Sequence, residues 1–123
     1  MKDFLYEIED LITTLGEDSI YVGNKIPSSA PYNTCSLERI LGRNSEYSLD
    51  GIVYRNPSFS VYIRDENYDN AITRMQNIIE LLEAINEGEI IKSCSLEGDG
   101  LIPLPLDEWG NTQLYSDFTL KIN

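Results

Sequence analysis

The fold is decided by residues 58–85, SFSVYIRDENYDNAITRMQNIIELLEAI. The first seven residues alternate apolar side chains with polar or aromatic ones, which is the period-two pattern of a strand with one buried face. The apolar side is formed by Phe59, Val61 and Ile63. After Asn67, apolar residues recur at three- and four-residue steps, which predicts a helix with one apolar stripe. The stripe consists of Tyr68, Ala71, Ile72, Met75, Ile78, Ile79, Leu82 and Ile85.

The ends of this helix and its packing can also be predicted. Asn67 is a suitable N-cap, and Gly88 lies where a helix commonly stops. The helical and strand patterns match in length and polarity, so the helix should fold back onto the strand. We expect the apolar face of the strand to meet four residues of the stripe: Ile72, Met75, Ile79 and Leu82.

The remaining sequence predicts one more helix and several more strands. An apolar stripe predicts a helix at about residues 3–15, from Asp3 to Leu15, before Gly16. The predicted strands cover 19–22, 34–41, 52–54, 89–96 and 112–122. In the strand at 89–96, the residues on one side are Ile90, Lys92, Cys94 and Leu96. The predicted connections are an extended Pro-containing segment at 23–33, a polar loop at 42–51, a turn at 98–100, a Pro-broken extended piece at 101–106 and a turn at 108–111. This order favours one α+β domain over residues 1–123, with a mainly antiparallel mixed sheet and two amphipathic helices on one face.

Composition narrows the classes of function. The chain has 123 residues, 41% of them hydrophobic, and 21 acidic against 9 basic residues give a net charge of −12. Such a charge disfavours binding to nucleic acid or to anionic membranes, because both modes need clustered Lys and Arg. Acidic residues near the N-terminus argue against a signal peptide, and we expect a cytosolic protein. Cys35 and Cys94 fit no metal or redox spacing, so free thiols are expected.

The sequence offers little for catalysis. It contains no histidine and no phosphate-binding Gly loop, so we expect neither an enzyme nor a cofactor. Asp99 could pair with Asp107 or Glu108, but all three lie in turn-like segments where Asp is common for conformational reasons.

A calcium loop is suggested only in part. Asp65, Asn67 and Asp69 have the opening spacing of such a loop. Asn70 and Gln76 occupy the positions that require Gly and a bidentate Glu. We therefore interpret the three residues as capping the long helix and predict no metal site.

Aromatic residues are the better functional signal. By the predicted phasing, five of them lie in loops or on the faces of strands away from the core: Tyr47, Tyr54, Tyr62, Trp109 and Tyr115. Tyr and Trp are enriched at protein interfaces, although some could be ordinary, partly buried residues of the sheet. Arg43 joins them as an interface candidate because it lies in the long polar loop at 42–51.

Four stretches resemble a known family of structural proteins. The first is the N-terminal amphipathic helix, and the second runs from Ile26-Pro27 through Tyr32 to Leu37. The third is Pro57 to Arg64 followed by Tyr68-Asp69-Asn70-Ala71. The fourth is Ile102-Pro103-Leu104 with Asp107 to Asn111 and the closing strand. In this order they resemble the tail terminator proteins of long-tailed bacteriophages, also described as minor capsid or head–tail joining proteins.

The resemblance implies a structural role. Tail terminators form a ring, typically of six subunits, on the head-proximal end of the tail tube, where they stop tube growth and face the head connector. The implied partners are further copies of the chain, the tail tube protein and the connector protein. DNA would pass through without specific binding, and an acidic lumen would keep it from sticking. The implied location is the host cytoplasm during assembly and then the virion tail. We hypothesise that the loop at 42–51 makes subunit contacts through Arg43 and Tyr47. The alternative, which the charge favours equally, is a small acidic module that binds or inhibits a basic partner.

Overall fold

The computed structural model describes residues 4–17, 19–23, 33–40, 45–47, 53–55, 57–86, 91–98 and 100–122. Only the backbone is described for 45–47, 53–55 and residue 122. The elements in chain order are α1 (Phe4–Thr13), β1 (Ile20–Val22), β2 (Thr34–Ile40), β3 (Ser45–Tyr47), β4 (Val53–Arg55), β5 (Ser58–Asp65), α2 (Tyr68–Glu83), β6 (Ile91–Leu96), β7 (Ile102–Leu104) and β8 (Thr112–Ile122). Among these residues, no helix has the length and apolar character needed to cross a membrane.

One six-stranded mixed sheet forms the body of the protein. Its order is β1-β2-β5-β8-β6, and β7 pairs with β8 along the same edge as β6. β1 is parallel to β2, and the other pairings are antiparallel. With two helices packed on this sheet, the predicted α+β class is confirmed.

The two faces of the sheet differ in composition. The helix face carries the buried side chains of alternate positions, and its paired rows on β5 and β8 are Phe59 with Phe118, Val61 with Ser116, and Ile63 with Leu114. The second face carries the residues between them, with the rows Ser60 with Asp117, Tyr62 with Tyr115, and Arg64 with Gln113. Side chains alternate between the faces because the strand period is two.

Both helices close the core from the helix face. Phe59 stacks on Phe118 with 5.3 Å between ring centroids, and Phe4 of α1 lies 6.0 Å from the Phe59 ring. The predicted packing of α2 is confirmed for Met75 and Leu82, which are fully buried, but Ile72 and Ile79 are only partly buried, and Ala71 and Ile78 complete the buried face of the helix instead. The helix begins as predicted, because the side chain of Asn67 accepts a hydrogen bond from the N–H of Asn70.

Both helices end earlier than their apolar patterns predict. α1 stops at Thr13, so Leu15 lies beyond it and is exposed instead of joining the apolar face. α2 stops at Glu83, so Ile85 packs against the core from the segment after the helix. At the other end of α2, Tyr68 is 61% exposed, although the pattern placed it in the stripe. Leu15 and Tyr68 thus continue the apolar periodicity without being buried, whereas Ile85 reaches the core from outside the helix.

A bulge in β6 corrects the prediction for the strand at 89–96. The sequence placed Lys92 on the same face as Cys94 and Leu96, but a register shift against β8 lies between Ile91 and Ser93. Lys92 is therefore exposed, and Ile91 is buried in the core beside Cys94. A bulge inserts one residue and so changes which side chains share a face, and it allows the charged residue to avoid burial.

The segment at 42–51 was predicted to be a polar loop, but it is not a simple loop. It contains β3, which pairs antiparallel with β4 in a separate two-stranded sheet. The chain leaves the main sheet after Ile40 and returns at Ser58, and these two residues are direct partners in the β2–β5 register. The β3–β4 hairpin therefore starts and ends at one end of the main sheet. The predicted extended connection at 23–33 lies mostly outside the described residues.

Candidate protein-interaction surface

The structure brings two of the six predicted interface residues together. Tyr62 and Tyr115 are direct partners on β5 and β8, on the second face and half-buried. Tyr47 and Tyr54 lie in β3 and β4, at neighbouring register positions of the hairpin. Arg43 lies outside the described residues, and the side chains of the two hairpin tyrosines are not described.

The second face is covered by a network of polar contacts. Ser60 donates a hydrogen bond of 2.5 Å to the carboxylate of Asp117, its direct partner. Farther along β8, the hydroxyl of Thr119 donates to the carboxylate of Glu97. Toward the opposite end, the Tyr62 hydroxyl donates to the side-chain carbonyl of Gln113. This face is therefore arranged by hydrogen bonds between side chains, whereas the helix face is packed with hydrocarbon.

The sixth candidate, Trp109, belongs to an exposed apolar surface. Trp109 is 65% exposed in the turn between β7 and β8, Leu106 just before it is 64% exposed, and Leu104 at the end of β7 is 38% exposed. We call these three residues the tryptophan corner. Leu104 pairs with Gln113, so it lies on the second face, at one edge of the sheet. Exposed aromatic and apolar residues in one place are typical of an interaction surface.

Asp107 fixes the shape of the corner. One of its carboxylate oxygens accepts hydrogen bonds from the backbone N–H groups of Trp109, at 3.0 Å, and Asn111, at 2.8 Å. Its other oxygen accepts from the side-chain amide of Asn111 at 3.0 Å. Desolvation raises the pKa of Asp107, but the hydrogen bonds from Asn111 and Trp109, together with nearby Arg64, outweigh it and lower the pKa. The turn also requires glycine at Gly110, where φ is +80°.

A second set of bonds holds the segment before the turn. The side-chain amide of Gln113 donates to the carbonyl of Pro105 at 2.8 Å, while Tyr62 holds the other end of that amide. Burial raises the pKa of Tyr62; Arg64 opposes this rise, and Asp107 adds to it. The tryptophan corner is thus presented on a backbone fixed by side chains of β5 and β8, and little conformational entropy would be lost when it binds a partner.

The residues with the opening spacing of a calcium loop, which the sequence predicted to cap α2, lie at the start of that helix. The Asp65 carboxylate accepts a hydrogen bond from the Asn67 N–H at 2.9 Å and pairs with Arg74 at 3.1 Å. Arg74 also pairs with Glu17 and donates to the carbonyl of Arg64. Together with the Asn67 cap, these contacts bear out the capping interpretation of the motif. Within the described ranges, no group of three or more potential ligands could hold a metal ion.

Both thiols are free and buried. Burial raises the pKa of Cys35 to about 12, with Glu17 adding to the rise and Arg74 opposing it. Burial, with Glu83, raises the pKa of Cys94 to about 12 as well. Neither thiol is poised as a nucleophile, because thiolate formation is suppressed at neutral pH.

Sequence reasoning found Trp109 but missed Leu104, Leu106, Asp107 and Gln113 as parts of one surface. A signal was present in residues 102–106, which read IPLPL. Alternating prolines confine such a segment to an edge of a sheet, and its leucines are then exposed at that edge. The roles of Asp107 and Gln113 depend on contacts along and across strands that the sequence does not display.

Comparisons with known proteins add no identification. No protein-family model matches the chain, and no curated protein matches it.

Proposed function

We propose that this chain is a structural assembly protein, a ring-forming tail terminator that caps a phage tail tube and forms the surface to which the head joins. The observation that carries the proposal is the tryptophan corner, a rigid and exposed apolar surface at the edge of the sheet. The carboxylate that shapes this turn, that of Asp107, already accepts hydrogen bonds from Trp109 and Asn111.

Two of the stretches behind the resemblance coincide with structural junctions. Residues 57–71 form β5, the Asn67 cap and the start of α2. Residues 102–111 form β7 and the turn that presents Trp109. Both junctions are fixed by side-chain hydrogen bonds to the backbone, so these residues serve the shape of the subunit. A terminator needs such a shape, because one face of its ring must fit the last tube ring while the other accepts no further tube subunit.

The direct test is electron microscopy of the purified protein mixed with phage tail tubes. We expect a closed ring on one end of each tube and no further growth when tube protein is added. Tubes that continue to grow from both ends, with no added density at either end, would contradict the proposal.

The hypothesis that the segment at 42–51 makes subunit contacts can be tested with a deletion variant. Removing Arg43 to Ser48 alone would delete β3 and leave β4 without its partner strand. A cleaner variant joins Ile40 directly to Ser58 through an Asn-Gly turn, because the two residues are already paired across β2 and β5. We expect this variant to fold, and tails made with it to exceed their normal length. Tails that still terminate and join heads would show that the hairpin makes no essential contact.

The second candidate function is an acidic module that binds a basic partner, and the net charge of −12 favours it. Ionic strength separates the two candidates. Binding to a basic partner weakens as salt screens the attraction, whereas contacts between acidic subunits strengthen as salt screens their repulsion.

A further inference from the structure

One edge of the main sheet is formed by β1, whose inner side pairs with β2. The Ser19 carbonyl accepts a hydrogen bond from β2 at 3.0 Å, and the Gly23 N–H donates one to β2 at 2.8 Å. Because alternate residues of a parallel strand bond to the same neighbour, the N–H and C=O groups of Ile20 and Val22 point outward. No described residue forms a hydrogen bond to these outward groups. Such an edge can accept an added strand.

The two edges of the sheet are protected to different degrees. At the opposite edge, β6 carries a bulge and exposed Lys92, and β7 carries Pro103, which has no N–H to donate. Features of this kind block the addition of another strand. By contrast, β1 consists of Ile20, Tyr21 and Val22, without a charge, a proline or a bulge. In the described sheet β1 is therefore the more open edge, and its short length limits an added strand to a few hydrogen bonds.

The side chains of β1 define one side of a ligand. Ile20 and Val22 lie on the helix face, because they pair with Cys35 and Leu37, and both are only partly buried against the core. An added strand continues both faces of the sheet, because its side chains alternate as those of β1 do. Apolar residues on the helix face of that strand would cover Ile20 and Val22.

The second face beside β1 carries an exposed acid. Tyr21 pairs with Ser36, and Glu38 lies two positions after Ser36 on β2, so Tyr21 and Glu38 share the second face. Tyr21 is half-buried and Glu38 is exposed. A Lys or Arg on the second face of an added strand would thus lie beside an aromatic ring and a carboxylate, and both attract a cation.

The helix α1 adds a further acid above this edge. Glu7 is directed toward β6, because its carboxylate accepts a hydrogen bond from the N–H of Ile91 at 3.2 Å. Glu9 lies about 200° farther round the helix, which directs it to the opposite side, toward β1. Arg39 of β2 is a cation on the helix face, but it is placed over the Phe4 ring, 4.7 Å from the ring centroid. The charges around β1 therefore favour a cationic partner over a second copy of this acidic chain.

From this edge we infer that β1 binds an extended segment of a basic partner protein, which adds to the sheet as a further strand. The segment alternates apolar residues, which cover Ile20 and Val22, with Lys or Arg, which lie beside Tyr21 and Glu38. Backbone hydrogen bonds supply affinity, and the alternating side chains supply selectivity. The inference goes beyond the proposed ring function and does not depend on it, and it assigns a surface to the binding of a basic partner.

The decisive experiment uses a short capped peptide of alternating Lys and Val residues and follows backbone amide exchange by NMR. In the free protein, we expect the outward N–H groups of Ile20 and Val22 to exchange faster than that of Tyr21, which faces β2. The peptide should slow exchange at Ile20 and Val22. Fast exchange at both residues with the peptide bound, or slow exchange in the free protein, would overturn the inference.

N-methylated peptides test the backbone contact. One peptide is methylated at its Val residues and the other at its Lys residues, so each is the control for the other. Only one set of N–H groups faces β1, so one peptide should bind roughly tenfold more weakly and the other almost normally. Equal binding of the two peptides would show a contact made by side chains alone and would overturn strand addition.

Charge variants test the chemistry of the partner. We expect Glu38→Gln to weaken peptide binding roughly two- to fivefold, as for an exposed ion pair. Glu108→Gln is the matched control, because Glu108 is an exposed carboxylate in the turn before β8, and it should leave binding unchanged. Equal binding of a peptide of alternating Glu and Val would overturn the basic partner. Slower exchange at Ile20 and Val22 with rising protein concentration, without peptide, would assign the edge to a second copy instead.

The outcomes separate this inference from the proposed function. A protein that caps tail tubes but binds no Lys–Val peptide at β1 would leave the proposed function standing and overturn the inference. Peptide binding at β1 without capping of tubes would do the reverse.

Discussion

The two faces of the central sheet are made by the same strands, yet they are stabilised in different ways. On the helix face, Phe59 and Phe118 stack under α1 and α2 and are fully buried. On the second face, the neighbouring rows are held by hydrogen bonds such as those from Ser60 to Asp117 and from Tyr62 to Gln113. Buried hydrocarbon supplies most of the stability of a small domain, while exposed polar pairs add little. The comparison implies that the helix face supplies most of the stability of the fold and that the second face contributes less.

The largest expected effect is on stability, and it appears when substitutions of two aromatic residues of β8 are compared. Phe118→Ala should lower the free energy of unfolding by about 3–5 kcal/mol, because it leaves a cavity beside Phe59. Tyr115→Ala removes a half-buried cross-strand partner of Tyr62 and should cost only about 0.2–1 kcal/mol. Urea denaturation of both variants measures the difference, and equal losses would refute the contrast between the faces.

The next comparison lies on α2. Leu82 is fully buried on the core side, and Leu82→Ala should cost roughly 2–5 kcal/mol. Tyr68→Ala, at the exposed start of the same helix, should change stability by less than about 0.5 kcal/mol. A change that small for Leu82→Ala in denaturant melts would show that α2 does not pack as described.

The ion-pair cluster should have an intermediate effect. Arg74→Met leaves the carboxylate of Asp65, whose side chain is only 3% exposed, without its cation. Losing one partner of a buried pair costs 3–5 kcal/mol, and we expect about 3 because the Arg74 side chain retains 19% exposure. The control is Arg39→Met, which removes a cation 4.7 Å from the Phe4 ring and should cost about 0.5–1 kcal/mol. Comparable losses for the two variants would argue against a special role for the cluster.

The smallest effects come from deleting one buried hydroxyl on each face. On the helix face, Ser116 donates to the carbonyl of Gly100 at 3.2 Å, so Ser116→Ala should cost about 1–3 kcal/mol. On the second face, the Thr34 hydroxyl is buried without a hydrogen-bond partner among the described residues. Thr34→Val should therefore be neutral or stabilise by up to about 1 kcal/mol. Thermal melts give both values, and a marked loss for Thr34→Val would reveal a partner for that hydroxyl.

The sequence predicted the fold well where patterns were long and regular. The strands predicted at 58–64 and 112–122 were confirmed because each obeys one period over its whole length, and the Asn67 cap was confirmed as well. The predictions failed where local pattern and tertiary environment diverge. Lys92 leaves the face on which the period put it through a bulge, and Leu15 is exposed although it continues an apolar stripe. A bulge and the end of an opposing surface depend on neighbouring elements, which a period does not record.

The candidate site was predictable only in pieces. Tyr62, Tyr115 and Trp109 were identified as aromatic residues away from the core, and the structure places the first two together and the third in an exposed turn. The assembly of the corner was not predictable, because Gln113 connects Tyr62 to Pro105 through contacts across strands. Arg43, Tyr47 and Tyr54 stay predictions, since their side chains lie outside the described part of the chain.

By itself, the sequence determined the class of the fold, the apolar faces and the acidic, histidine-free character of the surface, because periodicity and composition are local properties of the chain. Only the tertiary structure decided what individual polar residues do. Asp65 and Asp107 look alike in sequence, as turn-forming aspartates next to strands. In the fold, Asp65 is buried against Arg74 and joins β5 to α2, whereas Asp107 shapes an exposed turn and presents Trp109. The difference arises because a carboxylate acts through the donors that the fold brings to it: for Asp65 these are the Asn67 N–H and the Arg74 side chain of the following helix, and for Asp107 they are Trp109 and Asn111 of its own turn.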